Sequence, residues 1–364
     1  MKDLARIVLG WGAFVALALS GDLLATPTPA PILITALIAI VAVIVVAAFG
    51  VVTQAEALAH RLGDPYGTLI LTLSIVLIEV VLISAILLGP GEHPTIARDS
   101  VMAVSMIILN LVVGAALVVG GVRQHGRLTA NRRGIGVYLG LLVALTAVAF
   151  ALPKAIGDDG AYSTSQAIVV AVGTLGLYAF FLYRQTGPDA DAFREPAAAA
   201  APTHPPISDV WAANRREILT RITVLVVTAI PIVLLSHDMA SLLDDGLGRL
   251  GAPAPLAGLL IAAIVFLPES LTAIRAGAAG EMQRVSNLCH GALVSTVGLT
   301  IPAVLVIGLV TGQTVVLAES TANLIVLGVS LALSVVTFTA RRLTAWHGAA
   351  HLLVFAAYGA VLLG

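Results

Sequence analysis

The sequence predicts an all-α, polytopic membrane protein of about eleven transmembrane helices: one leading helix, then two inverted five-helix repeats. Three observations predict it. Hydrophobic residues make up 59% of the 364 and charged residues only 11%, with a mean hydropathy of +1.03, so water is not the solvent for most of this surface. Apolar stretches long enough to span a bilayer recur along the whole chain, and the basic residues sort by loop. A formal net charge of −1 leaves no electrostatic footprint for nucleic acid. Cys289 is the only cysteine, which excludes an intramolecular disulfide framework and a thiolate metal cluster.

A spanning helix needs about 20 apolar residues, and such stretches fall near residues 7–25, 32–53, 66–88, 101–122, 135–152, 164–183, 218–236, 255–275, 285–310, 313–334 and 344–363. The first has Lys2 and Arg6 before its apolar run and only a poor small-residue cleavage site at Ala25-Thr26-Pro27, so it reads as an uncleaved span in preference to a signal peptide. The breaks carry turn chemistry: Pro27, Pro29 and Pro31; Gly89-Pro90-Gly91; Gly157-Asp158-Asp159-Gly160; Asp244-Asp245-Gly246; Thr311-Gly312. One break is long. Residues 185–216, with Pro188, Pro196, an alanine run, Pro202, Pro205 and Pro206, read as a flexible linker. The expected organisation is therefore a leading helix (1–31), a first repeat (32–184), a cytoplasmic linker (185–216) and a second repeat (217–364).

Basic loop residues segregate to the cytoplasmic side. With the N-terminus inside, Lys2, Arg6, Arg61, Arg123, Arg127, Arg132, Arg133, Arg184, Arg194, Arg215, Arg216, Arg221, Arg275, Arg284, Arg341 and Arg342 fall inside, and only Arg98, Lys154 and Arg249 outside. One missed or invented helix would invert every later loop, so the sorting supports eleven spans with the C-terminus outside. The third and eighth helices then run in opposite directions. Registering Glu79 on Glu269 aligns Tyr66 to Glu79 with Leu256 to Glu269, placing one carboxylate deep in each helix at like distance from its start. That is the pattern of an inverted repeat, whose transport site lies at the bilayer midplane between the halves.

A carboxylate near the centre of a spanning helix costs about 2.5–3.5 kcal/mol on insertion scales, so two in related places call for a shared explanation. No intramembrane basic partner is visible for either. Facing each other in a dry site they repel, and at least one should hold a proton; a cation could replace the protons. Hard cations such as Ca2+ take six to eight oxygen ligands. Pro268 cannot donate a backbone hydrogen bond, so it frees the carbonyl of Ile264 and bends the helix beside Glu269. Thr272 lies one turn beyond Glu269, and Thr72 shares a face with Glu79. Asn287, Ser295 and Thr300 of the ninth helix and Asn110 of the fourth could add oxygens, although such side chains also serve as interhelical packing or bond back to a carbonyl, as Ser74 and Ser84 could. Glu319, read as lying in the tenth helix near its outer end, is a candidate for a surrounding or proton-path group, and Glu56 could line the inner mouth. His347 and His351, one turn apart, are more simply read as interhelical hydrogen-bonding groups than as metal ligands.

The segment Gly63 to Val80, Pro268-Glu269-Ser-Leu-Thr-Ala-Ile274, Gln283 to Gly291, Leu299-Thr-Ile-Pro302 and Gly348 to Tyr358 resemble the bacterial calcium/proton antiporters of the ChaA type, in the cation/calcium exchanger superfamily. The resemblance spans nearly the whole chain. It implies an eleven-helix exchanger of the bacterial inner membrane, each repeat supplying an essential acidic residue, that exchanges Ca2+, and in some members Na+ or K+, for H+. By position Glu79 and Glu269 match those acidic residues, Asn287 the asparagine after the second, and Glu319 a carboxylate of the tenth helix. Ile78 stands where many members of the wider superfamily carry proline, so a symmetric kink in the two repeats is not expected.

The expected function is secondary antiport, with Ca2+ bound from the cytoplasm between Glu79 and Glu269 and protons returned on the same groups. No cofactor is expected; the partners are inorganic cations and membrane lipid. Na+ or K+ exchange at the same site is the alternative, because oxygen ligands alone do not select Ca2+. An intramembrane metalloprotease is disfavoured by the lack of a His-Glu-x-x-His motif, and a channel leaves the duplicated carboxylates unexplained.

Overall fold

In hydrocarbon a backbone must pair its own N–H and C=O groups, so long apolar stretches fold as helices. The computed structural model describes residues 2–20, 28–62, 66–88, 94–125, 128–195, 207–253 and 255–363. Nearly all of these are helical, and among them β-pairing is limited to isolated bridges. The helices are α1 (Lys2–Leu19), α2 (Ala30–Leu62), α3 (Tyr66–Leu87), α4 (Ile96–Arg123), α5 (Arg132–Ile156), α6 (Thr164–Thr186), α7 (Ile207–Arg249), α8 with arms Pro255–Val265 and Leu267–Ala279, α9 (Met282–Thr311), α10 (Thr321–Thr339) and α11 (Ala345–Leu363). Among the described residues 8 helices are long and apolar enough to cross a membrane, or 9 with bent α8 counted as one span. The expected eleven is not reached among the described residues; α1, with Lys2, Asp3 and Arg6 in its 18 residues, is not in the set.

α2 and α7 are the two longest helices. At 1.5 Å per residue, the 33 residues of α2 extend about 50 Å, against a hydrocarbon core of roughly 30 Å. α7 has 43 residues, with non-helical dihedrals at Asn214 (φ −123°, ψ 18°) and Pro231 inside it. These two pack on each other more extensively than any other pair, and α1 covers them, with Gly10 against the Pro231 ring.

The remaining contacts obey a rule. Moving each helix five places along the chain exchanges α3 with α8, α4 with α9 and α6 with α11, and it maps the contacts onto one another: α6 packs on α9 as α11 packs on α4, and α3 on α9 as α8 on α4. The contacts therefore recur at an interval of five helices. α4 and α9 are the most enclosed helices. Each contains a π-helical turn, Ile107–Val112 in α4 and Asn287–Gly291 in α9; a third, Ala147–Ala151, lies in α5.

Two expectations need correction. The tenth span does not begin near residue 313, because residues 313–320 are extended. Val316 N–H donates to Pro94 O (2.8 Å), the Leu317 and Ala318 amides donate to Gly160 O (3.1 and 3.0 Å), and Glu319 N–H donates to Phe150 O (3.2 Å). Val315 and Leu317 are buried, so their apolarity serves a strap held between other elements and not a helix. Gly312, at φ +73°, ends α9 in the left-handed conformation, and the Ser320 hydroxyl caps α10 by accepting from Asn323 N–H. Glu319 therefore precedes α10 instead of lying within it.

The second correction is to the flexible linker, whose first residues are docked. Asp189 pairs with Arg133 (3.0 Å) and Arg184 (2.6 Å). Phe193 is buried against Tyr138 and Phe181, and the Glu195 carboxylate accepts from the amides of Gln283 (3.0 Å) and Arg284 (3.1 Å) at the start of α9. Charge at a helix N-terminus favours this contact. Residues 196–206 lie outside the described residues.

α4 meets its neighbours through glycine. A Cβ on Gly277 would come within 2.7 Å of the Ala116 carbonyl oxygen, and one on Gly348 within 2.5 Å of the Gly114 carbonyl oxygen. Small residues permit such backbone approach in membranes. Gly277→Val is expected to cost about 1–3 kcal/mol, read as a lowered unfolding midpoint of the purified protein in detergent; exposed Gly328→Val, whose Cβ meets nothing within 4 Å, is the control and leaves the midpoint unchanged.

Candidate cation site

The sequence registers Glu79 on α3 with Glu269 on the second arm of α8, and both are buried, at 4% and 5% exposure. Glu79 shares a small cavity with Val265 and Phe266, which precede Glu269 by four and three residues. The Thr296 hydroxyl of α9 donates to Glu79 Oε2 at 2.6 Å. The other three carboxylate oxygens, Glu79 Oε1 and both of Glu269, are buried without a hydrogen-bond partner. No ion pair reaches either residue among the described residues. Buried carboxylates are ordinarily paired or hydrogen-bonded, and these two depart from that rule.

The backbone around Glu269 is also open to a cation. α8 bends by 58° between its arms. Phe266 N–H still reaches Ala262 O and Ser270 N–H reaches Phe266 O, each at 2.9 Å, but Pro268 has no N–H to offer Ile264 O. α3, with Ile78 in the corresponding position, is one uninterrupted helix. A cavity of about 20 Å³ lies beside Glu79, between α3, α4 and the first arm of α8, lined by Ser100, Val104, Gly258 and Phe266 among others. That is room for about one water.

Thr272 lies one turn from Glu269, where its hydroxyl contacts Pro268 O (3.1 Å) and the Glu56 carboxylate (3.3 Å), so α2 and α8 meet at Glu56. Thr72 is on α3, but its side chain lies outside the described residues. Thr300 is buried with an unpartnered hydroxyl, one turn beyond Thr296 on α9.

Other candidates are engaged elsewhere. The Asn287 amide donates to Phe193 O (2.6 Å) and accepts from Gln283 (2.9 Å) and the Tyr138 hydroxyl (3.4 Å). Ser295 accepts from Tyr178 (2.9 Å) and donates to Gly291 O. Asn110 donates to Ser330 (2.8 Å) and faces His351 Nδ1 (3.4 Å). Ser74 and Ser84 bond back to Ile70 and Val80 carbonyls. His347 bonds to Thr344 and His351 to Thr337, so the two histidines use different partners. Among the described residues no three His, Cys, Asp or Glu side chains form a metal cluster.

Thr296 is the contact that sequence reasoning missed. Ser295 and Thr300 were singled out, yet Ser295 turns toward α6, while Thr296 and Thr300, four apart, share the face toward α3. That spacing was the available signal.

The profile of the sodium/calcium exchanger protein family matches residues 32–187 and 221–364. The chain belongs to that family. Exchangers of this family that it resembles include the sodium-potassium/proton antiporter ChaA of Escherichia coli (strain K12), 34% identical over 356 residues, covering 95% of this chain and 92% of that one. The putative ionic transporter y4hA of Sinorhizobium fredii (strain NBRC 101917 / NGR234) is 32% identical over 317 residues, 86% of this chain and 84% of that protein. Among solved structures, native YfkE superposes with a TM-score of 0.72 at 16% identity, covering 98% of this chain and 99% of that one, and the H+/Ca2+ exchanger CAX with 0.67 at 14%, covering 99% and 89%. The fold is thus that of the exchangers, and the chain is a ChaA-type integral membrane antiporter, not an enzyme.

Two measurements test the local chemistry. Thr296→Val removes the one donor to Glu79 and is expected to cost about 1–3 kcal/mol of stability, with Thr296→Ser recovering most of the unfolding midpoint. Glu319 lies outside the spans, where burial pushes its carboxyl above the ordinary value of 4.5, while hydrogen bonds from Asn323 and Ser320 and the nearby Arg98 hold it down. The folded state then holds the proton more tightly than the unfolded chain, so this group's stability contribution is complete below 4.5 and is lost as pH rises through the raised value. Glu319→Gln is expected to flatten that part of the pH dependence of thermal unfolding.

Proposed function

We propose that the chain exchanges cytoplasmic Ca2+ for protons by alternating access at a site built on Glu79 and Glu269. The observation that carries the reading is the two buried carboxylates, with three oxygens unpartnered and no ion pair among the described residues. One divalent cation or two protons neutralise two carboxylates equally, so in this scheme the site crosses the bilayer uncharged in both directions. A bare pair of charges at that depth would be costly. Thr296, Thr300, Thr272 and the freed Ile264 carbonyl are candidate oxygens of the hard type that Ca2+ prefers. Asn287, Asn110 and Ser295 are assigned to the surrounding scaffold that orients α4 and α9. The names of CAX and YfkE, Ca2+/H+ exchangers, support the ion assignment.

A second reading has its own support. The ChaA relative is named a sodium-potassium/proton antiporter, and the same oxygens would accept Na+ or K+. In either case sixteen of the nineteen Lys and Arg sort to one side when the N-terminus is placed in the cytoplasm and the C-terminus outside.

Proton movement in everted vesicles or proteoliposomes, followed with a pH-sensitive dye as Ca2+, Na+ and K+ are added in turn, tests the proposal. Micromolar Ca2+ is expected to release quenching, and Glu79→Gln or Glu269→Gln to abolish the response with expression intact. A response to Na+ or K+ alone moves the assignment to the second reading, and full activity in either variant overturns the site.

A further inference from the structure

A groove of about 570 Å³ runs between α2, α3 and α7, walled by Leu58 of α2, Ile70, Leu77 and Val81 of α3, and Val226 and Ile230 of α7. Leu77 (55%), Val81 (49%), Val226 (47%) and Ile230 (41%) are substantially exposed. Its one polar side chain, Ser74, is bonded to the Ile70 carbonyl, so the groove offers nothing to an ion. Along α7 its wall extends from Ile222 to Leu234, a rise of about 18 Å at 1.5 Å per residue. One leaflet of the roughly 30 Å hydrocarbon core has similar depth.

The end of the groove near Leu58 and Ile222 is basic. Seven residues before Ile222, on the same face of α7, stands exposed Arg215, which makes no ion pair among the described residues. One turn beyond Leu58 on α2 is Arg61, which shares the single carboxylate of Glu217 with Arg221 (3.0 and 2.9 Å). Arg215 thus lies on the groove's side of α7, while Arg61 and Arg221 meet at Glu217 farther round the helix. Basic residues beside apolar membrane surface recognise anionic headgroups.

We propose that this groove is a binding site for an anionic phospholipid, one acyl chain lying along α3 and α7 and the phosphate held by Arg215. The groove wall on α3 is formed by residues flanking Glu79, so the bound chain braces the helix that carries the buried carboxylate. The site is separate from the cation site and stands whichever ion is exchanged.

The test uses the full-length protein. A phosphatidylglycerol with a photoactivatable acyl chain is expected to crosslink to the α3 segment 77–81 and the α7 segment 226–230. Native mass spectrometry is expected to show phosphatidylglycerol retained over phosphatidylcholine of the same chain length. Arg215→Gln is expected to reduce that preference about fivefold, the worth of one basic group near a headgroup. Val226→Trp, which fills the groove, is expected to abolish the crosslink; if that variant fails to fold, the exposed Arg215→Gln variant carries the test alone. Equal retention of both lipids, adducts confined to other helices, or crosslinks to a second copy of the chain through this groove would each overturn the proposal.

Discussion

The cost of holding two carboxylates in a low-dielectric interior organises this structure. Glu79 and Glu269 come from separate halves of the chain, each is buried, and neither makes an ion pair among the described residues. A protein that needed them only for stability would satisfy their oxygens, because an uncompensated buried charge is among the most destabilising features known. Here a single threonine hydroxyl is supplied for four oxygens. The rest of the fold keeps that deficit in place: α3 and α8 pack on the enclosed helices α4 and α9, and the cavity beside Glu79 has room for about one water.

The two halves are equivalent in packing but not in local backbone. Their contacts interchange when each helix is replaced by the one five places later, and both central helices carry a π-turn that includes an asparagine, Asn110 or Asn287. Such turns widen a helix locally and recur at functional positions. Yet α8 is bent by 58° where α3 is continuous, which follows from Pro268 in one and Ile78 in the other. In the proposed exchange, the ion site is therefore asymmetric: a hydroxyl serves Glu79, and a freed carbonyl lies near Glu269.

Outside the membrane interior, backbone pairing replaces helix. The strap of residues 313–320 hydrogen-bonds to Pro94, Phe150 and Gly160 and so joins the ends of α4, α5 and α10, while the 187–195 segment ties α6 to the start of α9 through Asp189, Phe193 and Glu195. Both segments are less free than their composition suggests. They fix how the second repeat sits on the first.

Much was legible in the sequence because membrane folding obeys a coarse rule. Twenty apolar residues make a helix, prolines and glycines interrupt it, and charge sorts the loops, so the positions of the helices, the kink at Pro268 and the two carboxylates could be read directly. Periodicity could not tell the apolar strap at 314–318 from the start of a span, since burial in protein and burial in lipid select the same side chains. Nor could it show that Asn287 is committed to Phe193, Gln283 and Tyr138, or that Thr296 and not Ser295 reaches Glu79. Adjacent residues on a helix point about 100° apart, and only the packing of α9 between α3 and α6 decides which hydroxyl meets a carboxylate and which meets Tyr178. Sequence by itself determined what must be hidden from water and what it would cost; the tertiary structure decided which polar atoms were left without partners.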